Sequence, residues 1–178
     1  MKGVVDSFSE SYAQARVQFL EAAATAGLAI QSHPHPLRDG EVLAMDVARE
    51  GAVDADKLLI VSSACHGVEG YCGSGVQVFA LHDKEWRAKA RDQGVAVLYV
   101  HALNPHGFSF VRRTTHENVD LNRNFHDFSK TLPVNENYRE LSALLLPGQW
   151  PPTADNDAAI AKYIEEKGAQ AYQAAVSR

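Results

Sequence analysis

Apolar positions along the chain change their spacing several times, and each change predicts an element. Phe8, Tyr12, Ala15, Phe19, Ala22 and Ala26 recur every three to four residues, the stripe of an amphipathic helix. Ser7 and Glu10 have the spacing of a capping box at its start, and Gly27 is a natural stop. His33-Pro34-His35-Pro36 is predicted to be a loop, because each proline biases its predecessor away from helix. Alternation over 42–47 predicts a strand with Leu43, Met45 and Val47 on one face and Asp46 on the other. The run Leu58-Leu59-Ile60-Val61, within Lys57–Ser62, is the pattern of a strand buried on both faces. Ser74–Leu81 and Asp83–Asp92 are predicted helices, the second anchored by Trp86, and Val95–His101 is a second fully buried strand.

Strand, helix, strand implies a right-handed parallel crossover. In such sheets the ligand site lies beyond the carboxyl ends of the strands. The stretch after Ser62 and the stretch after His101 therefore fall in one crevice. Asn104-Pro105-His106-Gly107 is a turn and 108–111 a short apolar piece. A polar stretch follows from Arg112 to Phe125. Helical spacing returns from Asn135, with Tyr138, Leu141, Leu144 and Leu145 on one face up to Pro147. Asp155 is placed to cap a last helix carrying Ile160, Tyr163 and Ile164, which Gly168 interrupts. There is no internal repeat.

Composition narrows the class. At 178 residues and 46 % hydrophobic content, the chain suits a single globular domain spanning 1–178. A net charge of −5 excludes a nucleic-acid or anionic-membrane surface, which needs a basic excess. No secretory leader is visible, and no stretch approaches the roughly 18 apolar residues of a membrane span. Cys65 and Cys72 are the only cysteines, which predicts a reduced, cytoplasmic protein. Cys65 as a catalytic thiol stands against the commoner role of a buried one.

The chemistry gathers in two stretches. After Val61 come His66 and, three residues on, Glu69, among Gly67, Gly70 and Gly73. An imidazole and a carboxylate at this spacing lie on one side of a turn and can grip one cation, as in zinc sites that keep a position open for water. Taken alone, His-x-x-Glu also arises as a satisfied histidine beside a surface glutamate. The second stretch holds Arg112, Arg113, Asn122 and Arg123. Arginine pairs a carboxylate with two parallel hydrogen bonds, and one aimed at a carbonyl stabilises a developing oxyanion. A solvated charged loop is the alternative. His33 and His35 are a weaker metal pair, set against an exposed loop. The glycines after Val61 lack the fingerprint spacing of a nucleotide-binding loop, and no lysine follows them.

His66-Gly-Val-Glu69, Asn104-Pro-His-Gly107, Arg113 and Asn118-Val-Asp-Leu-Asn122-Arg123-Asn124-Phe125, in this order, resemble the zinc carboxypeptidase superfamily. With Ser11-Tyr-Ala-Gln-Ala-Arg16, Gly73-Ser-Gly75, His101-Ala-Leu-Asn-Pro105 and Arg112-Arg113, the chain is similar to a poorly characterised bacterial branch described as a domain of unknown function. The resemblance runs from about Ser11 to about Tyr172. It implies an α/β fold, a three-layer sandwich with a largely parallel central sheet. It implies Zn2+ bound by His66 and Glu69, a carbonyl polarised by Arg113, and a substrate carboxylate held by Asn122 and Arg123, with Arg112 able to share Arg113's role. The activity implied is metal-assisted hydrolysis of an amide bond beside a carboxylate, in a small peptide or an N-acyl amino acid.

The family also uses a third ligand, a histidine well downstream, and a late glutamate as general base. This chain has no histidine after His126, and Glu136, Glu140, Glu165 and Glu166 fall on predicted helices. The expectation is therefore an N-terminal part of a carboxypeptidase-like catalytic domain, truncated before its second half. A short protein that forms a homo-oligomer through an open sheet edge is the alternative. His101 is the nearest local substitute for the third ligand, against a histidine hydrogen-bonded under the turn at Asn104; His116 and His126 are weaker substitutes. From another functional class, the same arginines and asparagine suit a non-catalytic carboxylate-binding module or an inactive homologue.

Overall fold

The computed structural model of the chain describes residues 3–36 and 40–176. They form two compact units, Met1–Phe125 and His126–Arg178. The first is an α/β unit around a four-stranded mixed open sheet in the order β1-β2-β4-β3. Its strands are β1 (Ile30–Pro34), β2 (Ala44–Glu50), β3 (Lys57–Ser62) and β4 (Val95–His101). β1 with β2 and β2 with β4 are antiparallel, and only β3 with β4 is parallel. The expectation of a largely parallel sheet is thus corrected, since parallel pairing is confined to the strands joined by the helical crossover.

That crossover holds α2 (Glu69–His82) and α3 (Lys84–Asp92). Asp83 caps α3 by accepting from the N–H groups of Glu85 and Trp86. α2 begins five residues before the predicted start because its glycines pack rather than break the turn. A side-chain carbon on Gly70 would strike the Phe108 ring and Ala64. α1 (Tyr12–Thr25) follows the predicted stripe, but its cap is Ser11, which accepts from Gln14 N–H. Ser7 instead is the buried last residue of an otherwise exposed 3-10 turn over Val5–Ser7.

Phe19, Ala22 and Ala23 of α1, Val78 and Leu81 of α2, and Trp86 of α3 pack on Ala48, Val97 and Tyr99 of the sheet. A second cluster joins Tyr12, Ala15, Leu43, Ala64, Ala102 and Phe108 toward the strand ends. Tyr12 fixes this end by donating its hydroxyl to Ala44 C=O and accepting from Ala44 N–H, at 3.0 and 2.8 Å.

Three strand readings change. Residues 30–34 pair with β2 although Pro34 lies there, because β1 is an edge strand and its outer side needs no donor. In β2 the inward face is the opposite of the predicted one. Ala44, Asp46, Ala48 and Glu50 are buried, while Met45, Val47 and Arg49 are half-buried. Asp46 is 0 % exposed because Arg16 grips it with two hydrogen bonds, at 2.7 and 3.1 Å, and Ser32 adds a third. Glu50 is held likewise by Arg87 and Arg91. Paired carboxylates can point inward where bare ones cannot. Finally, β3 is not a strand buried on both faces but the far edge of the sheet, with Leu58 49 % and Ile60 58 % exposed.

β4 ends at His101, and Asn104 then caps the short helix α4 (Pro105–Ser109) by accepting from Gly107 N–H at 2.8 Å. The second unit contains α5 (Glu136–Leu145), α6 (Ala154–Lys167) and α7 (Ala169–Val176), packed through Leu141, Tyr163 and Ala175. α6 is capped by Thr153, one residue before the helix; Asp155 sits inside its first turn. Among the described residues, no helix is long and apolar enough to cross a membrane.

Candidate active site at the carboxyl ends of β3 and β4

The backbone leaving β3 and the backbone leaving β4 are bonded together. Leu103 and Asn104 N–H groups donate to Ser63 and Ala64 C=O, at 3.0 and 2.9 Å. Beyond this seam, Gly67 N–H donates to Arg112 C=O at 3.0 Å, and Arg112 N–H donates to Gly107 C=O at 2.8 Å. The approach is too close for a side chain, because a Cβ on Gly67 would overlap Gly107 C=O and the Arg112 backbone. The turn carrying His66 is thereby clamped against α4 and the start of the arginine loop.

The loop returns to His66 through a tight reversal at Thr115–Val119. Thr115 N–H donates to Val119 C=O at 2.9 Å, Asn118 N–H to Thr115 C=O at 3.0 Å, and Val119 N–H to the Thr115 hydroxyl at 3.1 Å. Asn118 adopts φ +63°, the left-handed region that asparagine enters more readily than most residues. Its part in the motif is to turn the chain. The reversal delivers Asp120, and one carboxylate then organises the site.

Asp120 Oδ1 lies 2.9 Å from His66 Nε2, and Asp120 Oδ2 accepts from Arg113 Nε at 2.8 Å. Asp120 also caps the 3-10 turn Leu121–Arg123 by accepting from Asn122 N–H at 3.0 Å. These donors, His66 first, push its pKa down to about 2. It is therefore a carboxylate at any ordinary pH and can only accept from His66, which fixes the proton of a neutral imidazole on Nε2. The lone pair is then on Nδ1, and Nδ1 lies 3.4 Å from Glu69 Oε1. His66 is largely buried, whereas Glu69 and Arg113 are exposed.

His66, Glu69, Arg113 and Asp120 thus form one continuous group. Asn122 reaches it through its backbone, and the side chains of Asn122 and Arg123 are exposed beside it, Arg123 Nη1 donating to Asn122 C=O at 3.2 Å. Arg112 and Arg113 are separated by the fold. Arg113 bonds the carboxylate that holds His66, while Arg112 contributes its backbone to the clamp and exposes its side chain. Asp120 was missed by sequence reasoning. Its signal was the alternation of Asp120, Asn122 and Asn124 with apolar or basic neighbours.

His101 does not join the group. It is fully buried, stacked on Phe19 at 4.7 Å, with Nε2 2.9 Å from the Ser74 hydroxyl. Its partner is thus Ser74 on α2 rather than the turn at Asn104. The Cys65 thiol is raised above its ordinary pKa by burial, with Asp120 adding to it, which opposes a thiolate nucleophile.

The donors suit zinc in kind and spacing. Two ligands about 2.0–2.2 Å from a tetrahedral zinc stand about 3.4 Å apart. Among the described residues, however, no group of three His, Cys, Asp or Glu side chains is placed to hold a metal ion. A family model described as "Protein of unknown function (DUF2817)" matches residues 8–178. None of the curated proteins matches the chain.

Proposed function

The chain belongs to the family described as protein of unknown function (DUF2817), and from there we propose that it is built for zinc-dependent hydrolysis of an amide bond beside a carboxylate. One observation carries the reading. His66 Nδ1 and Glu69 Oε1 face each other at 3.4 Å while Asp120 occupies Nε2. Two lone-pair donors at that separation attract each other only through a shared cation or proton. A carboxylate behind a histidine ligand is the usual way to fix its ring and raise its basicity.

In this reading His66 and Glu69 hold the metal and Asp120 orients His66. Zinc held there would supply a water acidified to a pKa of about 7. Arg113, anchored through Nε, turns its outer N–H groups toward the scissile carbonyl oxygen. Asn122 and Arg123 grip the substrate carboxylate, with Arg112 at the rim. The substrate class is a small peptide or an N-acyl amino acid. The four-stranded sheet would belong to a three-layer, carboxypeptidase-like sandwich, in which Leu58 and Ile60 on β3 are covered by a further layer. The third metal donor and the general base are not assigned to any described residue.

Zinc content after metal loading tests the reading directly. Wild type should retain zinc that both His66→Ala and Glu69→Ala lose, and equal content in all three removes the site. A second reading, a carboxylate-binding module without catalysis, is favoured by the exposed Arg112, Asn122 and Arg123 beside a two-donor metal group. It predicts stabilisation by N-acetyl amino acids that is lost in Arg123→Ala and unaffected by chelator.

A further inference from the structure

Three non-glycine residues among those described adopt left-handed backbone: Ala64 at φ +54°, Val111 at φ +52° and Asn118 at φ +63°. Each stands two residues before a member of the bonded group, ahead of His66, Arg113 and Asp120 respectively. Left-handed backbone disfavours any L-residue, and such residues concentrate where the geometry of a site over-determines the chain. Two of the three are readily accommodated. Ala64 carries only a methyl, packed with Phe108 and Ala102 in the buried cluster, and asparagine enters this region more easily than most residues. Val111 has neither advantage. Its side chain is branched at Cβ, which makes left-handed backbone an outlier, and it is 55 % exposed, so burial does not offset the turn.

The hydrogen bonds around Val111 show where its turn leads. α4 ends in a Schellman closure, with Val111 in the place that glycine usually takes. Phe110 is the C-cap, Val111 N–H donates to Phe108 C=O at 3.3 Å, and Arg112 N–H donates to Gly107 C=O at 2.8 Å. The same closure presents Arg112 C=O to Gly67 N–H, next to His66, and leads directly into Arg113, whose Nε bonds Asp120.

We propose that Val111 is a positioning residue of the His66–Asp120–Arg113 group: its left-handed turn sets the Arg112 clamp, and the strain of that turn keeps the clamp closer to opening than glycine would. Val111 acts through the Arg112 backbone, not through its own side chain. Relief of a left-handed penalty of ordinary size shifts the closed-to-open ratio of the clamp about tenfold toward closed. When the clamp opens, the His66 turn parts from the loop that carries Asp120, so the His66–Asp120 bond follows the same equilibrium. This coupling rests on hydrogen bonds within the chain; only its consequence for zinc rests on the proposed function.

The test is carried out on the metal-free full chain at mildly alkaline pH, where imidazoles are neutral. NMR follows solvent exchange of the Gly67 amide and of the His66 Nε2 proton, and ring nitrogen shifts report the His66 tautomer. Val111→Gly and Val111→Asn accept left-handed backbone and should slow both exchanges, by about tenfold in the glycine variant, with the proton still on Nε2. Val111→Pro can neither adopt the turn nor donate its N–H, and should speed both. Should the proline variant fail to fold, the other two decide. Slowing at Gly67 without slowing at His66 would confine Val111 to ending α4, and unchanged rates at both would detach it from the site; either result overturns the proposal. Zinc retention is read separately, and Val111→Gly should hold zinc at least as well as wild type. A wild-type chain that retains no zinc overturns the zinc reading and leaves the exchange result to decide Val111.

Discussion

His66 Nε2 and Asp120 Oδ1 lie 2.9 Å apart across a sequence separation of 54 residues. The contact decides which nitrogen of His66 faces Glu69, because an ionised Asp120 accepts and cannot donate. It also explains why the arginine loop reverses so sharply at Asn118. Without that reversal, Asp120 would not reach the turn after β3, and Arg113, already placed there by the Arg112 backbone, would lose its partner.

Asp120→Ala should therefore weaken zinc binding even though Asp120 is not a proposed ligand. Loss of an orienting carboxylate typically costs about 10–100-fold in metal affinity. Competition with a fluorescent chelator measures it. Affinity equal to wild type would separate Asp120 from the metal group.

Gly67→Ala should destabilise the first unit, because the added carbon meets backbone on two sides and no flexible side chain can move aside. Overpacking of this kind costs about 1–3 kcal/mol. A lowered midpoint in urea with an unchanged slope is the expected result. The same variant should lose zinc retention, since the His66 turn can relieve the overlap only by leaving Arg112.

Much of this arrangement was legible in the sequence, and the failures share a cause. The stripe Tyr12, Ala15, Phe19 and Ala22 specified α1 because helical burial depends on residues only three or four apart. The runs at 57–62 and 95–101 specified adjacent parallel strands, and topology brought His66 near the loop after His101. Asp46 was read outward because its polarity is local while its neutralisation is not, Arg16 being 30 residues away. Leu58 and Ile60 were read as buried because a hydrophobic run reports what a strand is suited to, not what covers it. Asp120 was passed over for the same reason as Asp46, its partner His66 lying 54 residues away.

Arg16→Met should be among the most damaging single changes. It leaves Asp46 buried with Ser32 as its remaining side-chain partner, next to His101 in the β2–β4 register. Removing one partner of a buried pair costs about 3–5 kcal/mol. Replacing both, in Arg16→Met/Asp46→Leu, should recover much of that loss, and chemical denaturation of the two variants compares them. Equal stability of the single and double variants would mean that the unpaired charge is not the source of the cost.

His101 makes the fold sensitive to acid. Burial lowers its pKa from 6.5 to about 4, with the nearby Asp46 charge opposing the shift. The unfolded chain therefore takes up a proton near pH 6.5 that the native state refuses until about pH 4. The His101 contribution to stability must fall as pH drops through that window and stop falling below it. At about 1.4 kcal/mol per pH unit, the loss is on the order of 3 kcal/mol. His106, also lowered, adds in the same direction. Urea denaturation at half-unit steps from pH 7 to pH 4 should show the decline, and His101→Gln should flatten most of it. A variant slope as steep as wild type would move the acid sensitivity away from His101.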